Sequence, residues 1–287
     1  MAQQMQDIKR RIKSIGSTEH ITNAMRLVSS SKFRKAKANF DKKTEYFNYI
    51  TKAIAETFEN GQDVPMEFLA GNREIKTSCY VLVTSCGGLC GSFNSTVIKE
   101  LEKDIKEADD NTKIVAIGTR GKEYFERRGY NIIESYCAPA ENVTFLETHD
   151  ISKPLIEMYR AGEIDEIIIV YTSFINTLKQ EVKSVRLLPF DLEAAPDGET
   201  HKQEMEYEPS VEEVFNYLVP KYVEIMVFEA VLESATCEYA ARRTAMENAT
   251  DNAKDMLSQL SIYYNRARQA AITDEIIEIV AGSEAQK

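Results

Sequence analysis

Apolar residues recur at helical spacing at both ends of this chain and at strand spacing in its middle. Near the start, Ile8, Ile12 and Ile15 are followed by Ile21, Met25 and Val28, and later by Phe47, Ile50, Ile54 and Phe58. Steps of three and four predict one apolar stripe on a helix. The stripe lapses between Val28 and Phe47, where only Ala36 and Phe40 keep step. Near the end, Val211, Val214, Leu218, Tyr222 and Ile225 begin a second stripe. It thins to Ala235, Ala241, Ala245, Ala249 and Ala253, then continues through Met256, Leu260, Tyr263 and Ala267. Ser210 followed by Glu213 has capping-box spacing and marks the start of that helix. Residues 221–281 hold neither Gly nor Pro; Gly16 is the one Gly before Gly61, and no Pro precedes Pro65. Both helices therefore exceed the length of ordinary globular ones. As a single helix, residues 221–281 would span roughly 90 Å. Two such rods are expected to pair antiparallel through their seams.

The middle alternates between the two periods. Strands are predicted at Tyr80–Thr84, Lys113–Ile117, Asn131–Tyr136, Glu166–Tyr171 and, as an edge, Gln180–Leu188. Helices are predicted at Ser95–Lys106, Gly121–Arg127 and Ser152–Arg160. This alternation implies a mainly parallel sheet with helices on its faces. The expected fold class is α/β: a long antiparallel two-helix coiled coil formed by the N- and C-terminal helices, plus a central Rossmann-like α/β domain. The expected divisions are 1–60 as N-terminal shaft helix, 75–195 as central α/β foot, and 209–287 as C-terminal shaft helix pairing with 1–60. Linkers fall near Asn60–Glu74 and Ala195–Pro209.

Charge adds a second signal. The chain carries a net −11, yet residues 1–43 hold eleven Lys and Arg against three acids, a net +8 that leaves −19 elsewhere. A basic segment on an acidic chain suggests an anionic partner. An acidic protein loop fits better than nucleic acid, because no aromatic platform is interleaved with the bases. A solvated helix face is the plainer alternative. No apolar run reaches 18 residues, so no transmembrane span is expected, and MAQQMQDIKRR lacks the apolar core of a signal peptide. Five irregularly spaced cysteines argue for a reducing compartment rather than a disulfide framework.

Candidate chemistry is sparse. Ser85–Ser92 (SCGGLCGS) follows the first strand, where a phosphate loop would sit, but it matches neither G-x-G-x-x-G nor a P-loop: the next Lys is Lys99. A tight glycine turn is the expectation. Cys79, Cys86, Cys90 and Cys137 lack the paired spacing of a metal site and read as small buried thiols. His20, His149 and His201 are scattered without a second ligand or a nucleophile nearby. The residues offer no convincing active site, which favours a mechanical role. The rivals are a nucleotide-dependent enzyme, which would bind ATP or NAD alone, and a free-standing coiled-coil scaffold, which would form a symmetric dimer.

Three stretches carry a resemblance: IKRRIKSIGSTEHITNAMRLVSSSKFRKA from Ile8, LESATCEYAARRTAMENATDNAKDML from Leu232, and SIYYNRARQAAITDEIIEIVAGSEA from Ser261. With GGLCGSFN and EVKSVRLLPF they closely resemble the gamma-subunit family of F-type ATP synthases over essentially the whole chain. The loop departs at Thr84-Ser85-Cys86-Gly87, where the family usually carries Ser-Asp-Arg. The resemblance implies a non-catalytic rotor shaft without cofactor, turning inside three alpha and three beta subunits. The foot would rest on the membrane c-ring beside epsilon, with delta in the same complex. Localisation would be peripheral, on the cytoplasmic side of the cell membrane. The chain lacks the redox insertion and transit peptide of chloroplast members and resembles the bacterial type. The resemblance also implies coupling residues. Arg10, Arg11, Lys13, Arg26, Lys32 and Lys35 would face an acidic beta lever loop, with Met25 among them. Cys90 lies in the docking loop. Arg268 and Gln269 would form a catch, and Glu238, Arg242 and Thr273 match coupling positions. Ile276, Ile277, Ile279 and Val280 would form an apolar bearing tip.

Overall fold

The computed structural model describes residues 2–60, 65–70, 74–105, 111–137, 144–177, 179–190, 208 and 210–285. Residues 61–64 and 71–73 of the first predicted linker, and all of the second but Glu208, with His201 among them, lie outside the described residues. Helix α1 (Ala2–Asn60) runs for 59 residues and α5 (Val211–Ala285) for 75. Between them come β1 (Ser78–Val83), α2 (Phe93–Asp104), β2 (Thr112–Ile117), α3 (Thr119–Glu126), β3 (Asn131–Tyr136), α4 (Phe145–Ala161), β4 (Glu166–Phe174) and β5 (Gln180–Leu188). The chain forms two compact units, Ser31–Ala241 and Met1–Ser30 with Arg242–Lys287, so the division falls inside both long helices.

In the larger unit the sheet order is β3-β2-β1-β4-β5. The first four strands are mutually parallel and β5 is antiparallel to β4. Alternation along β1 explains the layers, because successive side chains point to opposite faces. Val81 and Val83 join Leu155 and Tyr159 of α4 and Phe215, Val219, Val223 and Val227 of α5. Tyr80 and Leu82 join Val97, Ile98 and Leu101 of α2 and Phe125 of α3. The entry to β1 is fixed by Asp165, whose Oδ2 accepts the amides of Lys76 and Thr77 at 3.0 and 2.9 Å.

Two helices contain proline, and in each the carbonyl left without its amide partner is met by a side chain. Pro220 removes the donor for Asn216 in α5; the Arg160 guanidinium donates to that carbonyl at 3.3 Å and to Asn216 Oδ1 at 2.9 Å. Pro154 does the same in α4, where the Tyr136 hydroxyl donates to the Asp150 carbonyl at 3.3 Å. Helix α4 begins earlier than the predicted Ser152, at a capping box in which Thr144 and Glu147 exchange side-chain and backbone bonds. The cap at the start of α5 is present as Glu213 N donating to Ser210 Oγ at 3.2 Å.

Within the larger unit α1 and α5 pack antiparallel: Phe33 and Ala36 lie with Tyr239 and Ala240, while Phe47 meets Phe228 edge-on at 5.9 Å. Phe33 keeps step where the sequence pattern had lapsed. In the smaller unit the Thr250 hydroxyl donates to Thr22 Oγ1 at 2.9 Å. The seam there departs from the predicted stripe. Ile21 and Val28 are 60% and 56% exposed, and Met256 and Tyr263 are 53% and 58% exposed. The buried positions are Ser29, Met246 and Thr250, off the predicted stripe, and Ala253, on it. Short side chains let two helix axes approach closely, so the seam passes through the small residues and the large aliphatics turn outward.

Candidate functional site

The two units divide the candidate residues between them. In the smaller unit Arg10, Arg11 and Lys13 are exposed on α1. Arg10 is held by Asp7 at 2.8 Å, an exposed pair of adjacent turns that contributes little to stability. Arg26 is half-buried and donates to Asn23 Oδ1 at 3.0 and 3.3 Å; Met25 beside it is also half-buried. On α5, Arg242 is half-buried, while Arg268, Gln269 and Thr273 are exposed, and the Thr273 hydroxyl donates to the Gln269 carbonyl at 2.9 Å. Ile276, Ile277, Ile279 and Val280 are each more than half exposed.

In the larger unit the basic residues are partly engaged. Lys32 lies over the Tyr239 ring at 5.5 Å, Lys37 over Phe174 at 5.2 Å and Lys43 over Phe228 at 4.4 Å. Lys37 also bonds Asp41 at 2.8 Å. These cation–π contacts tie three ammonium groups to the flank of the helix pair. Sequence reading missed them, because the rings come from β4 and α5 and no local spacing announces them. Arg34 and Lys35 are exposed, and Glu238 is half-buried.

The Ser85–Ser92 loop is a braced turn. Asn94 accepts from Ser85 N at 2.9 Å and donates to Ser85 Oγ at 2.7 Å and Cys90 Sγ at 3.3 Å. Leu89 and Gly91 adopt positive φ to close it. Cys90, expected at a contact, is 2% exposed and packs with Phe93 and Cys237. What the loop turns outward is Leu89, and Cys90 is a core side chain. Cys79 and Cys237 are buried as well, whereas Cys86 is half-buried and Cys137 exposed, so the expectation of four buried thiols holds for two.

A polar cluster also lines the interior between β4 and α5. Glu233 Oε1 accepts from Ser173 Oγ and Phe174 N, both at 2.7 Å. Burial and the Glu233 carboxylate push Glu229 up to about 7, against a weaker opposing effect of Lys183. Burial, then Glu233 and Glu229, push the Tyr171 hydroxyl up. Among the described residues no three His, Cys, Asp or Glu side chains gather where a metal could be held. No described helix is long and apolar enough to cross a membrane.

These features match known proteins along the full length. The ATP synthase family model matches residues 4–286. The ATP synthase gamma chain of Alkaliphilus metalliredigens is 42% identical over 287 residues, covering 99% of both chains. The sodium-ion-specific ATP synthase gamma chain of Acetobacterium woodii is 38% identical over 302 residues, again covering 99% of both. Among solved structures, a chain of the Tetrahymena thermophila mitochondrial ATP synthase central stalk and c-ring is 25% identical with a TM-score of 0.65, covering 80% of this chain and 99% of its own. A chain of the Euglena gracilis mitochondrial ATP synthase shares the fold at 18% identity and a TM-score of 0.70, over 100% of this chain and 95% of its own. With a family model spanning nearly every residue and relatives above 30% identity from end to end, this chain belongs to the ATP synthase gamma-chain family.

Proposed function

We propose that the chain is the central rotor shaft of an F-type ATP synthase, transmitting torque between an ion-driven c-ring in the membrane and a catalytic head of three alpha and three beta subunits. The observation that carries this reading is the end-to-end likeness to gamma chains at 42% identity. In this reading residues 1–60 and 209–287 are the shaft and 75–195 the foot. Epsilon and delta belong to the same complex, and the chain is peripheral on the cytoplasmic side of the cell membrane, touching the bilayer only through the c-ring. Two helices of 59 and 75 residues suit a part that carries torque. Such a shaft must push on successive stator subunits without binding one orientation, and exposed charges are weak and long-ranged enough to do so. Arg10, Arg11 and Lys13 in the smaller unit, with Lys35 in the larger, are the exposed candidates for an acidic lever loop.

Replacing Arg10, Arg11 and Lys13 together by Gln tests the reading. All three are exposed, so assembly should be intact. Steady-state ATP hydrolysis at low salt should change about twofold or more, with the difference from the parent fading toward 1 M salt, where the screening length falls to about 3 Å. Identical salt profiles for parent and variant would refute the contact.

Met25→Lys probes the neighbouring face. Because Met25 is half-buried, a lysine there can reach solvent along its stem, and the complex should assemble. A charge-assisted bond to a stator carboxylate would then have to break at each step. Hydrolysis should be poorly coupled to ion pumping, and synthesis should show a steeper temperature dependence. Normal coupling and temperature dependence in the assembled variant would place the contact elsewhere.

A further inference from the structure

We propose that Cys86 and Cys137 form an oxidisable dithiol, a modification site at which a low-molecular-weight disulfide writes a reversible cross-link between the glycine loop and the end of β3. The two residues lie 51 positions apart, and the topology brings them together just beyond the carboxyl ends of β1 and β3. Their sulfurs are 2.6 Å apart. That is within about 0.6 Å of the covalent S–S separation of about 2.0 Å, so the two thiols stand within bonding reach of each other. The other three cysteines are buried and remote from oxidant.

Environment assigns the order of events. Cys137 is exposed, and its sulfur lies 3.1 Å from the Thr119 hydroxyl. It is the thiol an incoming reagent reaches. Cys86 is half-buried, and burial, with the Cys137 contact second, pushes its thiol up to about 11. It is therefore protonated at neutral pH and acts second. In the first step the Cys137 thiolate attacks one sulfur of R–S–S–R, forming Cys137–S–S–R and releasing RS⁻. In the second step Cys86 gives its proton to solvent and attacks Cys137 Sγ, displacing the second RS⁻. The protein loses two protons and two electrons, and R–S–S–R leaves as two thiols. A dithiol of this kind in a chain without a disulfide framework suits a transient, reversible bond rather than a structural one.

The test uses the full-length chain equilibrated across ratios of oxidised to reduced glutathione, quenched with iodoacetamide and read by peptide mass. Oxidising ratios should yield one linked pair, Cys86 with Cys137, lighter by two hydrogens than the dithiol and fully reversed by dithiothreitol. Cys79, Cys90 and Cys237 should stay out of any link. Cys137→Ser should leave Cys86 largely without a glutathione adduct, at least tenfold less than Cys137 carries in the Cys86→Ser variant, and Cys86→Ser should trap a stable glutathione adduct on Cys137. Accumulation of that adduct in the parent chain, or a link from Cys86 to Cys90, would overturn the proposal.

Discussion

Gly118→Ala should destabilise the larger unit by on the order of 3–5 kcal/mol. Gly118 joins β2 to α3 at φ +102°. An L side chain in that region costs about 1–3 kcal/mol by itself. The added Cβ would also lie 2.2 Å from the Thr84 carbonyl oxygen and 2.7 Å from Thr84 Oγ1. The first contact is backbone, and that backbone is not free to withdraw. Thr84 N donates to the Ile117 carbonyl at 2.7 Å, Gly118 N to the Tyr136 carbonyl at 2.8 Å, and Arg120 N to the Ser85 carbonyl at 3.2 Å. The ends of β1, β2 and β3 are thus bonded to one another around the glycine, and making room for a methyl group breaks that registration. Overpacking of this kind adds about 1–3 kcal/mol. Gly129→Ala is the control: it shares a positive φ, +79°, but nothing lies within 4 Å of its Cβ, so it should cost only about 1–2 kcal/mol. Urea unfolding of the two variants separates the terms. Equal midpoints would mean that the close approach to Thr84 carries no energy.

That contact shows what the sequence could not announce. The sequence placed β3 and β5 at their observed bounds and the other strands within three residues, because period-two alternation is a local signal. Helix α4 came out short because Pro154 and the polar residues before it hid a helix that Thr144 and Glu147 cap. There the signal was present and overlooked. The seam of the smaller unit misled for a different reason. Counting large aliphatics selected Ile21 and Val28, whereas close helix approach selects Ser29 and Thr250, which a hydrophobicity pattern scores as blank, and Ala253, which the thinning alanine stripe had marked. Among the candidate site residues, the basic character of residues 1–43 was legible as composition. Which lysines lean on rings and which face solvent depends on cross-helix register, and no single segment records it. Cys86 and Cys137 read with Cys79 and Cys90 as four unpaired buried thiols, because only the β1 and β3 ends bring the two together.

Glu229 sits one helical turn before Glu233 on α5, and two carboxylates at that spacing repel. Glu233 is fixed by its bonds to Ser173 and Phe174, so its charge stays beside Glu229. Burial and that neighbour raise Glu229 from an ordinary 4.5 to about 7, with Lys183 opposing weakly. The folded chain therefore holds a proton more tightly than the unfolded chain between these values. Stability falls as pH rises wherever the native state binds more protons, so the contribution is complete below about pH 4.5 and is lost as pH passes 7. At 1.36 kcal/mol per pH unit the whole interval is worth about 3 kcal/mol. Solvent reaches this half-buried side chain, and screening reduces the expected loss between pH 5 and pH 8 to on the order of 1–2 kcal/mol. Glu229→Gln removes the titration and keeps the shape. The variant should match the parent near pH 4, where Glu229 is neutral in the folded chain and mostly neutral in the unfolded one, and exceed it by about 1–2 kcal/mol at pH 8. Denaturant titrations of both proteins at unit pH steps give the comparison directly, since every other titrating group is common to the two. Parallel profiles would show that Glu229 is already ionised in the folded chain and that its repulsion with Glu233 is relieved by solvent.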